Sequence, residues 1–563
     1  MKEQIVTTLA AAIPSLTAEE ISSLIEIPPT PDMGDFAFPC FRLAKTLRKA
    51  PPMIASEIAA SLSLPDAVDE VKVVGAYINF FLKKEGFVAS ILEKVRKENY
   101  GSSSEGEGKT ICIDYSSPNV AKNFHVGHLR TTIIGNSLHL IFKKLGYHVE
   151  RINHLGDWGT QFGKLIVAYK NWGSEEAVKE KGIEELMRLY VLFHQEADKD
   201  PALEDEARAW FAKMEQGDEE ALSIWKWFVD ISLEEFKRTY KLLGMEFDHY
   251  TGESFYRDKT ADVVKRLSDA GILTESEGAR IVDLSAYDMA PCLILKKDGS
   301  SIYATRDIAA IIYRKENYNF EKCLYVTGQE QRLHFRQVFK VMELLGNEWA
   351  KDGLVHIPYG LVSLGGEKLS SRDGNVIFAE DILLEAVKKV REIIEERNPE
   401  LEDKDTVAEK VGVGAVIFND LYNQRIKDVS FRWEHLLNFE GETGPYVQYT
   451  YARCSSILRK VENYSPDADI DCSYLTDEAS LALLKQLELF PSAVQEAATR
   501  YEPCVIARYA IAVAQAFNHY YTVNRINVPE DNIRNARVLL VDITRRTLRD
   551  ALALLGITCV EAM

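Results

Sequence analysis

The sequence predicts an α/β fold built on a doubly wound parallel sheet, with an α+β region before the sheet and a helical region after it. Three observations support this prediction. Strand-like and helix-like hydrophobic periods alternate between residues 109 and about 425. A charged helical stretch from about 170 to 250 interrupts them as an insertion. Beyond about residue 426 the periods are almost wholly helical.

One βαβ unit predicts the sheet most clearly. Residues 109–115 alternate in the way of a short buried strand, and Pro118 ends the run. Apolar residues then recur at helical spacing from Leu129 to Leu145, where Gly146 is placed to cap the helix. Residues 147–153 are predicted to form the next strand. This order is typical of a Rossmann-type nucleotide-binding domain.

Two histidines and a glycine lie at the predicted start of this helix: His125, Gly127 and His128. Unpaired N–H groups and the helix dipole at such a place favour an anion, for example a triphosphate. Gly127 would leave room for a base or a phosphate beside the backbone. Taken alone the pattern is short, because two histidines three residues apart can simply share a helix face.

A second polar element lies about 240 residues further on. Residues 365–375 are glycine-flanked and rich in cations and hydroxyls, and an apolar stretch at 354–364 precedes them. We expect a loop that can deliver cations to an anionic ligand. Its chemistry-bearing residues are Lys368, Ser370, Ser371 and Arg372.

Length and composition limit the class of protein. The chain has 563 residues, 46% of them hydrophobic, which suggests about three or four domains. Its eight cysteines are scattered without a C-x-x-C pair, so neither a disulfide framework nor a structural zinc site is predicted. The N-terminus lacks a signal-peptide pattern, and no apolar run approaches membrane-spanning length. We expect a soluble cytoplasmic protein with no membrane partner.

The net charge of −19 argues superficially against a nucleic-acid partner. The charge is uneven, however, because eight Arg and Lys residues oppose six Asp and Glu residues from Arg500 onward. Aromatic side chains interleave with these arginines, as in proteins that stack unpaired bases and hold phosphates. The alternative is a helical bundle whose tyrosines form the core and whose arginines are solvated.

The two polar elements resemble the two signature motifs of class I aminoacyl-tRNA synthetases, and the chain is similar to the arginyl enzymes of that class over nearly its whole length. Four further stretches add to the resemblance, and the one at 153–163 is far more specific than either signature motif alone. These stretches are Asp114–Asn119, Asn153–Gly163, Tyr303–Asp307 and Glu442–Tyr449.

This resemblance implies three domains. Residues 1–108 would form an additional tRNA-contacting domain and its linker, and the composition of 101–108 is that of a linker. Residues 109–425 would form the catalytic domain, and 426–563 an α-helical anticodon-binding domain. No feature of the insertion suggests an editing role.

A reaction is implied as well. Arginine would react with ATP to give arginyl-adenylate and pyrophosphate, and the arginine would pass to the 3′ end of tRNA(Arg). Mg²⁺ would accompany the ATP. We expect a monomer without a structural metal. Because the attacking carboxylate is already ionised, the enzyme must chiefly position the reactants and neutralise developing charge.

The family's ATP-binding residues correspond to His125, Gly127, His128, Lys368, Ser370 and Ser371. The sequence departs from the class pattern at Ser371, where a second signature lysine is expected. Lys122 and Arg372 are two possible substitutes, and their spacing does not decide between them. Catalytic roles are implied for His125, His128, Lys122, Lys368, Ser371 and Arg372.

Arginine recognition needs planar acceptors for a guanidinium. By resemblance, Tyr303 and Asp307 would bind the guanidinium, while the rest of the amino acid would contact Asp114, Ser117, Asn119, His154 and Gln331. An alternative for Asp307 is a helix N-cap, since an apolar run at 308–312 follows it.

Contacts with tRNA are implied for Tyr77, Asn79, Tyr446, Arg453, Arg545 and Arg549. The alternative for the first two is ordinary packing at a buried strand edge. Arg545 and Arg549 lie four residues apart and would share a helix face.

Three other functions remain open at this point. A small-molecule nucleotidyltransferase can use a similar histidine turn, but it would leave the terminal domains without a purpose. A catalytically silent synthetase paralogue would not need His125, Gly127, His128 and Lys368. A synthetase for another amino acid is disfavoured by the pairing of Asp114 with Asp307.

Overall fold

The computed structural model of the chain describes residues 2–122, 124–364, 367–368, 378–462 and 464–563, with backbone alone at 31, 364, 367 and 368. The chain forms two compact units. The smaller comprises Met1–Tyr100, Ile457–Leu489 and Gln515–Thr544, and the larger comprises Gly101–Ser456, Phe490–Ala514 and Arg545–Met563. Residues beyond 426 thus contribute to both units, and the three-part division along the sequence remains a prediction.

The first hundred residues combine helices with a three-stranded antiparallel sheet of order β1-β3-β2. The elements are α1 (Lys2–Ala12), α2 (Ala18–Leu24), β1 (Phe36–Pro39), α3 (Leu43–Leu47), α4 (Pro51–Ser61), β2 (Val68–Val74), β3 (Tyr77–Leu82) and α5 (Lys84–Val95). This confirms the predicted α+β region. Tyr77 and Asn79 lie on the central strand β3, so the strand was predicted correctly but its edge position was wrong.

The larger unit contains the sheet and most of the helices. Its elements from the first strand to the end of the insertion are β4 (Thr110–Asp114), α6 (Val126–Lys144), β5 (His148–Asn153), α7 (Thr160–Trp172), α8 (Glu175–Lys181), α9 (Ile183–Ala197), α10 (Ala202–Gln216), α11 (Glu219–Leu242) and β6 (His249–Tyr250). The predicted βαβ unit is therefore confirmed to within a few residues. Gly146 follows α6 with φ +87°, which suits the predicted cap.

The following segment forms a small antiparallel sheet and then returns to the main one. Its elements are α12 (Glu253–Tyr256), α13 (Thr260–Asp269), β7 (Leu273–Ser276), β8 (Ala279–Val282), β9 (Cys292–Leu295), α14 (Tyr303–Tyr318), β10 (Lys322–Gly328), α15 (Arg332–Leu344), α16 (Ala350–Gly353), β11 (Leu354–Tyr359), β12 (Val362–Leu364), β13 (Glu367–Lys368), α17 (Ala379–Arg397), α18 (Lys404–Leu421), β14 (Val429–Phe431) and α19 (Trp433–Leu436).

The main sheet has five parallel strands in the order β11-β10-β4-β5-β6. The chain runs outward from β4 in one direction and resumes at β10 on the other side, so the topology reverses between these two strands. In open α/β sheets, ligands bind at the carboxyl ends of the strands at such a reversal. Ile111, Cys112 and Ile113 are all buried, so β4 is covered on both faces as parallel strands usually are.

The insertion is confirmed as helical and is held against the sheet by a polar contact. Tyr240 near the end of α11 is buried, and its hydroxyl lies 2.7 Å from Ser116 Oγ. The same hydroxyl accepts a hydrogen bond of 2.9 Å from Asn153 Nδ2. The insertion therefore supports the loop that follows β4 and the end of β5.

The C-terminal region is helical, as predicted. Tyr509 and Tyr520 are buried, so these two tyrosines belong to the core, whereas Tyr521 is exposed. Within the described residues, no helix is both long and apolar enough to cross a membrane. The helices are α20 (Gly444–Arg459), α21 (Glu478–Glu488), α22 (Phe490–Arg500), α23 (Cys504–Val523) and α24 (Asp531–Leu554).

Candidate active site

A cavity of about 730 Å³ opens at the carboxyl ends of β4 and β10, where the sheet topology reverses. This volume lies within the range of small-molecule sites. The structure brings ten of the predicted site residues together here. They are Asp114, Ser117, Asn119, His125, Gly127, His128, His154, Tyr303, Asp307 and Gln331.

The loop between β4 and α6 carries unusual backbone geometry. Ser116, Ser117 and Ala121 have φ values of +70°, +46° and +59°. Positive φ is uncommon for residues other than glycine and costs free energy, and such residues cluster at ligand sites. The strained loop presents Ser117 and Asn119 to the cavity.

The two histidines cap the start of α6 with their own rings. His125 Nδ1 accepts a hydrogen bond of 3.1 Å from Gly127 N, and His128 Nδ1 accepts one of 3.4 Å from His125 N. The rings stack with their centroids 3.9 Å apart. Because each Nδ1 is an acceptor, the proton of each neutral ring must lie on Nε2. Both rings can therefore donate a hydrogen bond from Nε2.

Burial and the nearby charge of Lys122 favour the neutral form of both histidines. Burial, with the charge of Lys122, lowers the pKa of His125 below its usual value. Burial lowers the pKa of His128 well below its usual value, with smaller contributions from His125 and Lys122. Lys122 itself is exposed and lies outside the cavity lining. It nevertheless adds positive potential to the same end of the helix.

Gly127 is required by the histidine beside it. A Cβ at this position would lie 2.9 Å from His125 Cε1 and 3.0 Å from its Nδ1. The sequence had suggested that Gly127 makes room for a ligand. In the structure it also makes room for the capping imidazole.

Asp114 is held by a buried arginine that the sequence reasoning missed. Arg314 Nη2 lies 2.7 Å from Asp114 Oδ2, while Ser117 Oγ donates a 2.8 Å hydrogen bond to Oδ1. Both charged side chains are buried. The same Arg314 nitrogen lies 3.3 Å from His154 Nδ1, and burial lowers the pKa of His154. Arg314 lies seven residues after Asp307, on the same face of α14, which is the one signal that could have revealed it.

Asp307 is not a helix N-cap. Helix α14 begins at Tyr303 after an N-cap at Ile302, so Asp307 lies one turn inside the helix and the N-cap alternative was wrong. Tyr303 and Asp307 are four residues apart and share the face that lines the cavity. Asp307 Oδ2 lies 2.5 Å from His334 Nε2.

Glu253 also lines the cavity and was not predicted. It is largely buried and forms an ion pair with Arg306. Burial raises its pKa from 4.5 to about 7, because desolvation outweighs the opposing effect of Arg306 and the nearby Asp307 adds to the rise. No motif surrounds Glu253, so nothing in the sequence marks it.

Asp157, which belongs to the most specific sequence motif, positions this glutamate. Its Oδ1 accepts a 2.8 Å hydrogen bond from Ser254 N and its Oδ2 accepts one of 2.6 Å from Ser254 Oγ. The adjacent Gly252 is packed so closely that a Cβ would lie 2.6 Å from the Asp157 carboxylate. The motif thus anchors the turn that presents Glu253.

The second signature is described only at its base. Lys368 ends β13, whose backbone pairs with β12 at Ser363, and β12 pairs in parallel with β14. Ser370, Ser371 and Arg372 lie outside the described residues, as does the side chain of Lys368. Their predicted roles stay predictions.

Comparisons with known proteins identify the family. Residues 1–82 match the arginyl tRNA synthetase N terminal domain, 88–433 the catalytic domain of tRNA synthetases class I (R), and 447–563 the DALR anticodon binding domain. The chain is 52% identical to the arginine–tRNA ligase of Alkaliphilus metalliredigens, covering 100% of this chain and 99% of that protein. It belongs to the class I arginyl-tRNA synthetase family.

Further relatives agree with this synthetase assignment. The chain is 53% identical to the arginine–tRNA ligase of Clostridium perfringens, with 97% of each chain covered. Its fold matches the solved structure of the Thermus thermophilus arginyl-tRNA synthetase with a TM-score of 0.83 at 26% identity, covering 100% of both chains. These matches favour an arginyl enzyme over a small-molecule nucleotidyltransferase and over a synthetase for another amino acid.

The residues predicted to contact tRNA lie outside the lining of the synthetase cavity. Asn79 is buried on β3, while the ring of Tyr77 packs edge-on against Phe41 at 5.5 Å. On α20, Tyr446 is half-buried, and the Arg453 guanidinium lies 4.9 Å from the Tyr449 ring.

Two further residues of this set lie on α24. Arg545 Nη1 lies 3.9 Å from Glu561 Oε1, and Arg549 Nη2 lies 2.9 Å from Asp550 Oδ1. The side chain of Arg549 is half-exposed, whereas that of Arg545 is more buried. In the part of the chain that the structure describes, no cluster of three or more His, Cys, Asp or Glu side chains could hold a metal ion.

The position of Gly127 leads to a first prediction. Gly127→Ala should lower the rate of amino-acid activation roughly tenfold to a hundredfold, because the added methyl displaces the His125 ring from its capping position. Initial rates at saturating substrates test this. Gly86→Ala is the matched control, since a Cβ there meets nothing within 4 Å. Equal rates for both variants would contradict the prediction.

Proposed function

We propose that this cavity activates arginine with ATP and then transfers the arginine to the 3′ end of tRNA(Arg). The protein is a ligase of the arginyl-tRNA synthetase family, and ATP is its substrate. The supporting observation is the meeting, in one cavity, of two neutral histidines at a helix N-terminus with the carboxylates of Asp307 and Glu253.

The phosphates of ATP would lie against the start of α6. His125 and His128 each have a donor at Nε2, and the helix N-terminus adds positive potential. Neutral donors can strengthen their hydrogen bonds as negative charge grows on the α-phosphate and on the departing pyrophosphate. Lys122 and Lys368 would supply the cations, and we keep the predicted phosphate contacts of Ser370, Ser371 and Arg372. Mg²⁺ would enter with ATP as part of the substrate.

The guanidinium of arginine would lie between Asp307 and Glu253, with the Tyr303 hydroxyl nearby. Charge supports this orientation. Asp114 is already paired with the guanidinium of Arg314, whereas Asp307 contacts only the imidazole of His334 among the described ion pairs. Asp307 therefore retains more negative charge for a cationic substrate group.

The ammonium and carboxylate groups of arginine would contact the part of the cavity around Asp114. Asp114 still has free acceptor capacity for the ammonium group, because a carboxylate accepts about four hydrogen bonds. Ser117, Asn119, His154 and Gln331 line the same region. The reactive carboxylate would then point toward the histidines and the α-phosphate of ATP.

The polynucleotide partner would be bound by the remaining domains. We assign residues 1–108 and 426–563 to tRNA contacts, with Tyr77 and Asn79 in the first and Tyr446, Arg453, Arg545 and Arg549 in the second. The match of 447–563 to an anticodon-binding domain supports this assignment. A cytoplasmic monomer is the expected state.

Exchange of pyrophosphate into ATP tests the function directly. The assay is run with arginine, lysine, glutamate, glutamine or cysteine, each with and without bulk tRNA. Exchange with arginine alone among these is the expected result, and a requirement for tRNA would show that the polynucleotide completes the site. No exchange from folded protein that still binds tRNA would instead indicate a catalytically silent paralogue.

Arginine use should depend on pH through Glu253. Its pKa is raised to about 7, so the ionised fraction falls as pH drops through 7. The KM for arginine should therefore rise roughly tenfold between pH 8 and pH 6. Glu253→Gln should raise KM throughout and remove this dependence. A wild-type KM that stays constant over this range would show that Glu253 is not an ionised ligand.

A further inference from the structure

Arg130 makes an unusually complete set of contacts for a residue outside the cavity lining. It lies on the first turns of α6 and is buried. Its Nη1 donates to Gly360 O at 2.8 Å and Leu361 O at 3.1 Å. Its Nη2 donates to Arg425 O at 3.0 Å and Lys427 O at 2.8 Å. Four donors of the guanidinium thus meet four main-chain carbonyls.

The fifth donor faces a buried carboxylate on α18. Arg130 Nε lies 3.1 Å from Asp420 Oδ1, and both side chains are about 1% exposed. Neither Asp420 oxygen accepts a hydrogen bond within the described part of the chain. Burial raises the pKa of Asp420 to about 6 against the opposing effect of Arg130. Asp420 therefore compensates the charge of Arg130 without fixing its geometry.

The four carbonyls belong to two segments that lead into neighbouring strands. Residues 360–361 precede β12, and residues 425–427 precede β14. The segments are joined directly, because Gly360 N donates to Arg425 O at 2.9 Å and Val429 N donates to Leu361 O at 2.9 Å. Arg130 ties this pair of segments to α6.

The first of these segments is also a wall of the cavity. Gly360, Leu361 and Val362 line it together with His125 and His128. The histidines cap the same helix that carries Arg130 one turn later. A single guanidinium thus links the histidine end of the cavity to the 360–362 wall.

We propose that Arg130 is a positioning residue for amino-acid activation: it holds the 360–362 wall at a set distance from the capping histidines and so fixes the ATP half of the cavity. This inference rests on the proposed assignment of that half to ATP. Lysine cannot replace Arg130, because an ammonium is a point charge and cannot hold four carbonyls in a planar fork. The hydrogen bonds of Arg130 go to residues other than those proposed to bind arginine.

Arg130→Lys tests the proposal, because it should change kcat and the KM for ATP but not the KM for arginine. In arginine-dependent pyrophosphate exchange, kcat should fall tenfold to a hundredfold and the KM for ATP should rise, while the KM for arginine stays within twofold. Asp420→Asn is the matched variant, since it removes the counter-charge and leaves all four carbonyl contacts. It should retain kcat within threefold. Values of kcat and KM for ATP within twofold of wild type in Arg130→Lys would overturn the proposal, as would an equal loss in Asp420→Asn.

A surface variant keeps the test decisive if Arg130→Lys does not fold. Asp428 is exposed, and its Oδ1 accepts a 2.7 Å hydrogen bond from Leu361 N in the same wall. Asp428→Ala removes this acceptor and should lower kcat threefold to tenfold without changing the KM for arginine. An unchanged kcat would overturn the proposal. Absence of exchange from the wild-type protein would instead count against the proposed function.

Discussion

His128→Ala should lower kcat for arginine-dependent pyrophosphate exchange about a hundredfold to a thousandfold, with a much smaller change in the KM for arginine. The imidazole offers a single Nε2–H donor, because its Nδ1 is engaged by the main chain of His125. Its pKa lies well below the usual value, so the ring is neutral at working pH. The loss should therefore be constant from pH 6 to pH 8.

The control for this variant is a surface histidine of the same unit. His148 begins β5, is exposed, and pairs with Glu150 at 2.9 Å. His148→Ala should leave the rate unchanged. A loss in His128→Ala that grows as the pH falls would show a charged imidazolium instead of a neutral donor, and an unchanged rate would remove His128 from the mechanism.

Asp307→Asn should lower kcat/KM for arginine about thirtyfold to several thousandfold, since removing one partner of a desolvated charge pair costs about 2–5 kcal/mol. Asparagine keeps the shape and can still contact His334, but it carries no charge for the guanidinium. ATP binding should be spared, because Asp307 lies on α14 and the capping histidines lie on α6.

Steady-state kinetics with arginine and with ATP varied in turn test this prediction. Asp298→Asn is a suitable control, because Asp298 caps an exposed turn through Ser300 in the same unit. Unchanged arginine kinetics in Asp307→Asn would remove this residue from the pocket. An equal loss of ATP affinity would show that the substitution disturbs the whole cavity.

Local sequence patterns were sufficient to predict the structural features that depend only on neighbouring residues. The strand at 110–114, the helix that follows it and Gly146 beyond its end all follow from hydrophobic period and turn chemistry, which act over a few residues. The helix start at Tyr303 does not follow from such a pattern, because Ile302 offers no side-chain cap to signal it. Asp307 was consequently mistaken for a possible N-cap.

The sequence by itself determined the α/β class, the family and ten of the residues that line the cavity, because these follow from local hydrophobic periods and from short motifs with fixed spacing. Only the tertiary structure revealed Arg314 beside Asp114, Glu253 beside Asp307, and the carbonyls around Arg130. These partners are separated by 50 to about 300 residues, and none lies in a motif with its partner. Burial decides such pairings, since a charge removed from water must meet whatever group the fold brings to it.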